Sequence, residues 1–204
     1  LHYPLRRQRQ MCIRDRFYQI QVPKPWTPTS DFDRYWEMMD QVVLAEELGF
    51  GSVWLADHQF RTEWSHSSAP DVTLSAISQR TSGIRLGIAV AVPPVEHPLH
   101  IAARTATLDI LSNGRVDLGI GRAGYPYQMA AFGTDLANAT GMVDEALEII
   151  PRAWTEGEFS YQGTYFNIPL RQVHPKPVQK PHPPIWIGGN TDKALNRVVQ
   201  RGDG

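Results

Sequence analysis

Four short stretches of this 204-residue chain combine residue types that bind or react. The first is Asp57-His58-Gln59-Phe60. An imidazole titrates near neutrality, so His58 can exchange protons or hydrogen-bond a ligand, or it can be a histidine satisfied by neighbouring carboxylates. The second is Ala89-Val90-Ala91, whose small apolar residues can lie against a planar ring or form a plain buried strand end. The third is Gly119-Ile120-Gly121-Arg122-Ala123-Gly124-Tyr125. Its small residues let backbone approach a ligand, and the Arg122 guanidinium can grip a phosphate or carboxylate bidentately; an ion pair with a surface acid is the alternative. The glycine spacing fits neither a Walker loop nor a dinucleotide-binding fingerprint. The fourth is Gly188-Gly189-Asn190-Thr191, immediately before a helical pattern. Helix-start N–H groups, the helix dipole and the Asn190 and Thr191 side chains together suit an anion, although the same residues can simply cap a helix. Two anion-binding features on one face, Arg122 and this turn, strengthen the phosphate reading.

Each stretch follows a run with strand character. Residues 17–22 alternate and end at Pro23. Ser30 can cap a helix whose Tyr35, Met38, Met39, Val42, Val43 and Leu44 recur at helical spacing until Gly49 stops it. The pattern then repeats: strands over 52–56, 84–92, 115–120 and 185–188, helices over 71–81, 97–111, 141–154 and 192–200. Strands separated by helices of this length pair in parallel through crossovers, and such folds place ligands at the carboxyl ends of the strands. Five such units fit an open doubly wound sheet or part of a barrel, and periodicity does not decide between them. Residues 158–168, with four aromatics around Gln162-Gly163, read as an inserted hairpin. Residues 173–184, with five prolines, run extended over the surface into the last strand.

Composition narrows the function classes. Apolar content of 42% and charged content of 20% are those of a globular domain. A net charge of −1 argues against a dedicated nucleic-acid binder. No apolar run reaches the roughly 18 residues of a membrane span. The one cysteine, Cys12, allows no internal disulfide and fits a reducing compartment, so the expected location is cytoplasmic. Residues 1–16 carry five arginines and one acid, a net +4 that leaves the remainder at −5. They lack the apolar core of a secretory signal and are read as a non-native or disordered extension, with the domain over 17–204. His97 and His100 lie one helical turn apart but lack a third ligand, so no metal is assigned. Glu63, Trp64 and His66 either line a substrate mouth or belong to a mobile loop. No Gly-x-Ser-x-Gly elbow is present for a serine hydrolase.

Taken in order, the motifs resemble the bacterial luciferase-like flavin-dependent monooxygenase family. They are residues 45–54 (AEELGFGSVW), Asp57-His58-Gln59-Phe60, Ile84-Arg85-Leu86-Gly87, His97-Pro98, residues 108–115 (LDILSNGR), Gly119-Ile120-Gly121-Arg122, Phe132-Gly133 and residues 175–186 (PKPVQKPHPPIW). The resemblance implies an α/β fold, the (β/α)8 TIM barrel of the luciferase-like type, with about five βα units present. It implies reduced FMN (FMNH2) and dioxygen used to oxygenate a small, apolar substrate, with a separate flavin reductase as partner and a homodimer at full length. It casts His58 as the catalytic residue. Ala89 and Val90 are then the strand end against the flavin ring, where members carry a non-prolyl cis peptide. Arg122 becomes a phosphate ligand, and Gly188, Gly189, Asn190 and Thr191 the second phosphate-binding turn. Two departures stand out: Gln59 replaces a second histidine, and Gly121 stands where luciferases have a cysteine. F420-dependent hydride transfer and a non-catalytic flavin-binding subunit are the alternatives. Five strands cannot close an eight-stranded barrel, so the chain alone is expected to be poorly stable and incomplete as an enzyme.

Overall fold

The computed structural model describes residues 14–122, 125–189 and 191–203. After Ile88 the chain divides into two compact units.

The first unit holds β1 (Asp15–Tyr18), α1 (Ser30–Glu47), β2 (Ser52–Leu55), α2 (Pro70–Ser78) and the start of β3 (Arg85–Ala91). β1 pairs parallel with β2, and β2 with β3; Tyr18 lies opposite Leu55, and Leu55 opposite Ile88. Val42, Val53, Leu55, Leu74 and Leu86 are fully buried and form the apolar centre. Gly49 stops α1 in the left-handed conformation that an L side chain resists, at φ 80°. Beside it, Trp54 lies across Gly87: a β-carbon at Gly87 would come within 2.1 Å of the indole, so this cross-strand pair requires glycine.

Three local expectations are corrected. β1 begins at Asp15 and ends at Tyr18 instead of spanning 17–22, because Ile20 turns to φ 50° and leaves the extended region. Thr29, not Ser30, is the N-cap residue of α1; the Ser30 hydroxyl instead accepts from Thr27 N at 2.8 Å. α2 ends at Ser78 rather than 81: Gln79 N and Arg80 N tighten to Ala76 O and Ile77 O, and Ser82, Gly83 and Ile84 then all donate to the Glu46 carboxylate.

The second unit contains the end of β3, α3 (Pro98–Leu111), β4 (Val116–Ile120), α4 (Pro126–Ala131), a 3₁₀ turn (Leu136–Asn138) and α5 (Ala139–Thr155). After these come β5 (Phe159–Gln162), β6 (Asn167–Arg171), β7 (Ile185–Ile187) and α6 (Asp192–Arg201). β4 is buried at every residue and pairs parallel with β7, Ile120 opposite Ile187. β5 and β6 form the expected antiparallel hairpin. Its turn is held from α5: Glu145 accepts from the N–H groups of Thr164, Tyr165 and Phe166.

The proline-rich run is anchored as well as extended. Asp109, fully buried on α3, accepts from Val178 N, Gln179 N and Gln179 Nε2 at 2.7–3.0 Å. Lys176 Nζ donates to the carbonyls of Ala153 and Glu156, closing the C-terminus of α5. These two tethers fix the approach of β7. The helix α4 lies where the sequence reads as loop, yet its signals were present: Pro126 in its first turn, and Gly133 just beyond it at φ 72°. No helix among the described residues is long and apolar enough to cross a membrane.

Candidate functional site

In the second unit, three strand ends singled out in the sequence come together. Gly121 N donates to Ala91 O at 3.0 Å, and Gly188 N donates to Ile120 O at 2.9 Å, so the residues just past β4 and β7 lie beside the end of β3. The Val90 side chain fills the space between them. A β-carbon on Gly121 would stand 2.4 Å from Val90 Cγ2, and one on Gly188 3.6 Å from Val90 Cγ1. The Ala89–Val90 peptide is cis. The result is a floor of backbone and small apolar groups at the carboxyl ends of parallel strands, where such folds bind ligands.

Polar groups border this floor. Arg122 follows Gly121 directly, is exposed, and makes no ion pair among the described residues. After β7, Gly189 packs on the first turn of α6, where a β-carbon would lie 2.2 Å from that of Ala194. Thr191 is the N-cap of α6; its hydroxyl accepts from Ala194 N and keeps its own proton to donate. Asn190 lies outside the described residues. Small strand ends, a guanidinium and a helix start fit a planar ligand carrying a phosphate.

His58 belongs to the first unit, two residues past the buried Ala56 that follows β2. Burial pushes its imidazole below the ordinary value, and the positive charge of Arg61 acts in the same direction. The ring is therefore neutral at pH 7, able to accept a proton at one nitrogen while donating from the other. Its neighbours are ordered: Gln59 Nε2 donates to Asp57 Oδ1, and His58 N donates to Ser67 O at 2.8 Å.

The stretch after His58 is closed, not loose. Ser67 Oγ donates to Ala56 O at 2.6 Å, and Ser65 Oγ donates to Gln19 O at 2.5 Å. His66 N donates to Ile20 O, and Tyr35 OH donates to His66 O. The His66 ring contacts Asp31 through Nδ1 and Thr62 O through Nε2, Glu63 pairs with Lys24, and Arg61 stacks on Trp64. These side chains thus fasten the loop. Ile20 receives the loop at φ 50°, a conformation costing a β-branched residue on the order of 1–3 kcal/mol. Sequence reasoning passed over Ser65 and Ser67; serine is common in loops, and only their burial, at 3% and 1% exposure, distinguishes them.

His97 and His100 have another use. His97 is the N-cap of α3, its Nδ1 accepting from Leu99 N at 3.1 Å, with its ring edge-on to Phe166. Burial, and then His100, hold its pKa below the ordinary value.

Comparison with known proteins matches residues 17–204 to the family described as luciferase-like monooxygenase. The oxygenase component of a flavin-dependent trigonelline monooxygenase from Acinetobacter baylyi is 29% identical over 170 residues, covering 82% of this chain and 47% of its own length. An F420-dependent glucose-6-phosphate dehydrogenase from Microbacterium testaceum is 35% identical over 173 residues, covering 81% of this chain and 50% of its own. Among solved structures, the monooxygenase RslO1 from Streptomyces bottropensis superposes with a TM-score of 0.80 at 30% identity, over 86% of this chain and 53% of that one. The chain spans about half the length of the curated relatives it matches.

Proposed function

We propose, from the premise that the chain belongs to the luciferase-like monooxygenase family, that it is part of a flavin-dependent monooxygenase acting on a small organic substrate. The five parallel-type strands and their helices are the corresponding part of that family's (β/α)8 barrel. The observation that carries the reading is the convergence of Val90, Gly121 and Gly188 at the strand ends, with Arg122 exposed next to Gly121.

In this reading the Ala89–Val90 strand end and Gly121 support the ring of reduced FMN. Arg122 holds its phosphate, together with Gly188, Gly189, Asn190 and Thr191 at the start of α6. The flavin supplies the reaction with dioxygen. His58, neutral at pH 7, takes up or returns a proton at one ring nitrogen while its main chain stays fixed to Ser67. A separate reductase delivers the reduced flavin, as the relative's description as an oxygenase component supports.

Titration of the full-length protein with reduced FMN under exclusion of air tests the reading. Saturable binding, weakened by Arg122→Ala, is expected, followed by oxygen consumption on aeration. Absence of binding overturns it. F420-dependent hydride transfer is the second reading, favoured by the 35% identical dehydrogenase. Turnover with F420 in the absence of oxygen, and none with FMN, decides for it. Unchanged turnover in His58→Ala points instead to a barrel that binds flavin without His58 catalysis.

A further inference from the structure

We infer that Ser65 and Ser67 are positioning residues for His58: two buried hydroxyls staple the loop after β2 to the carbonyls that end β1 and β2. The importance of the clasp rests on the proton-handling role of His58 proposed above; its existence rests on the geometry alone.

A strand that stops inside a protein leaves main-chain carbonyls without ladder partners, and these must be satisfied locally. Here the acceptors are Gln19 O beyond β1 and Ala56 O beyond β2. Each is met by a serine hydroxyl from the same returning segment. The two hydroxyls are also linked, since Ser67 N donates to Ser65 Oγ at 3.1 Å. Ser67 then accepts from His58 N through its own carbonyl. The segment from Ala56 to Ser67 is thereby a closed ring of main chain with His58 at its root. Both hydroxyls act through main-chain atoms, not through the imidazole, so they orient the residue without competing for its ring nitrogens.

A second observation supports deliberate docking. Ile20 is buried and β-branched, yet holds a left-handed φ of 50° and presents its carbonyl to His66 N. Such strain persists only where surrounding contacts over-determine it, and it concentrates at functional sites. The neighbouring bond from Ser65 Oγ to Gln19 O fixes the same turn. The loop is therefore held from both strand ends.

Histidine-labelled NMR titration of the full-length protein and of its Ser67→Ala and Ser65→Ala variants tests the clasp without cofactor or substrate, with His58 assigned by its loss in His58→Gln. In both variants the His58 midpoint is expected to move up towards the ordinary 6.5 as the ring gains solvent. Its amide is expected to exchange about tenfold faster or more, while β2 amides keep their protection. Ser67→Thr, which retains the hydroxyl, restores the original midpoint. An unchanged His58 midpoint with β2 intact overturns the inference. So does loss of β2 protection in both alanine variants, which makes the serines general stability residues. Failure of the full-length protein to bind flavin sinks the proposed function but leaves these readouts untouched.

Discussion

The floor in the second unit and the loop in the first are built by opposite means. At the ends of β3, β4 and β7, positions follow from strand pairing and from a missing side chain: Gly121 makes room, Val90 fills it, and Gly188 lies alongside. Around His58, positions follow from added side chains, with Ser65, Ser67 and Tyr35 closing polar bonds onto main chain. A site made by strand register fails by overpacking or by losing a strand. A site made by hydrogen-bonded clasps fails by opening. The two failures are separable by measurement.

The largest effect is expected where β7 is held. Asp109→Ala removes the buried carboxylate that accepts from Val178 N, Gln179 N and Gln179 Nε2, of which the last keeps Val116 O as a second acceptor. A hydrogen bond to a charged group contributes about 1.5–3 kcal/mol, so with the two main-chain N–H groups deprived of this carboxylate a loss of about 3 kcal/mol in urea denaturation is expected. Protection of the β7 amides should fall in hydrogen exchange, and flavin binding with it. Retention of stability would show that the proline run seats β7 without this carboxylate.

Next is the packing couple on the floor. Gly121→Ala places a methyl group 2.4 Å from Val90 Cγ2, an overpacking expected to cost about 1–3 kcal/mol. Val90→Ala in the same chain removes the obstructing methyls, so the double variant should recover most of that loss. A double-mutant cycle reads the coupling directly, and additive costs would mean the two residues do not share this space.

These two cases also mark what could be read in advance. The strand–helix alternation, the inserted hairpin and the stretches after each strand are legible because period and small-residue punctuation encode them. Ala89-Val90, Gly121 and Gly188 fall together for that reason. The Ile20 turn is not legible, since a β-branched residue in an alternating run predicts continued strand. Nor are the Ser65 and Ser67 bonds: their partners, Gln19 and Ala56, lie 46 and 11 residues away and accept through main chain, which carries no side-chain signature. Asp109 shows the same limit, reaching across about 70 residues to Val178 and Gln179.

Arg122 separates binding from folding. It is exposed and makes no ion pair among the described residues, so Arg122→Ala should leave the denaturation midpoint within about 0.5 kcal/mol of the unaltered chain. A charge-assisted bond to phosphate contributes about 1.5–3 kcal/mol, so reduced-FMN affinity should fall by roughly ten- to a hundredfold. Riboflavin, which has no phosphate, should bind both proteins equally. Equal losses for FMN and riboflavin would place Arg122 at the ring rather than at the phosphate.

The smallest effect is a pH dependence that weighs the clasp against the rest of the molecule. The folded-state pKa values of His58 and His97 both lie below the ordinary 6.5, chiefly through burial. Between those depressed values and 6.5, the unfolded chain binds more protons than the folded one, so stability rises with pH across that window. It is fully present above about 6.5 and declines as pH falls through the folded values. His58→Gln removes one of these two rings and should flatten, without abolishing, the decline in urea midpoints as pH falls below about 6.5. Because His97 lies in the other unit, as the cap of α3, its share should survive every change to the loop after β2. Ser67→Ala, by exposing His58, should therefore produce the same flattening as deleting the imidazole. A slope that flattens in His58→Gln but not in Ser67→Ala would mean that His58 stays buried without the clasp.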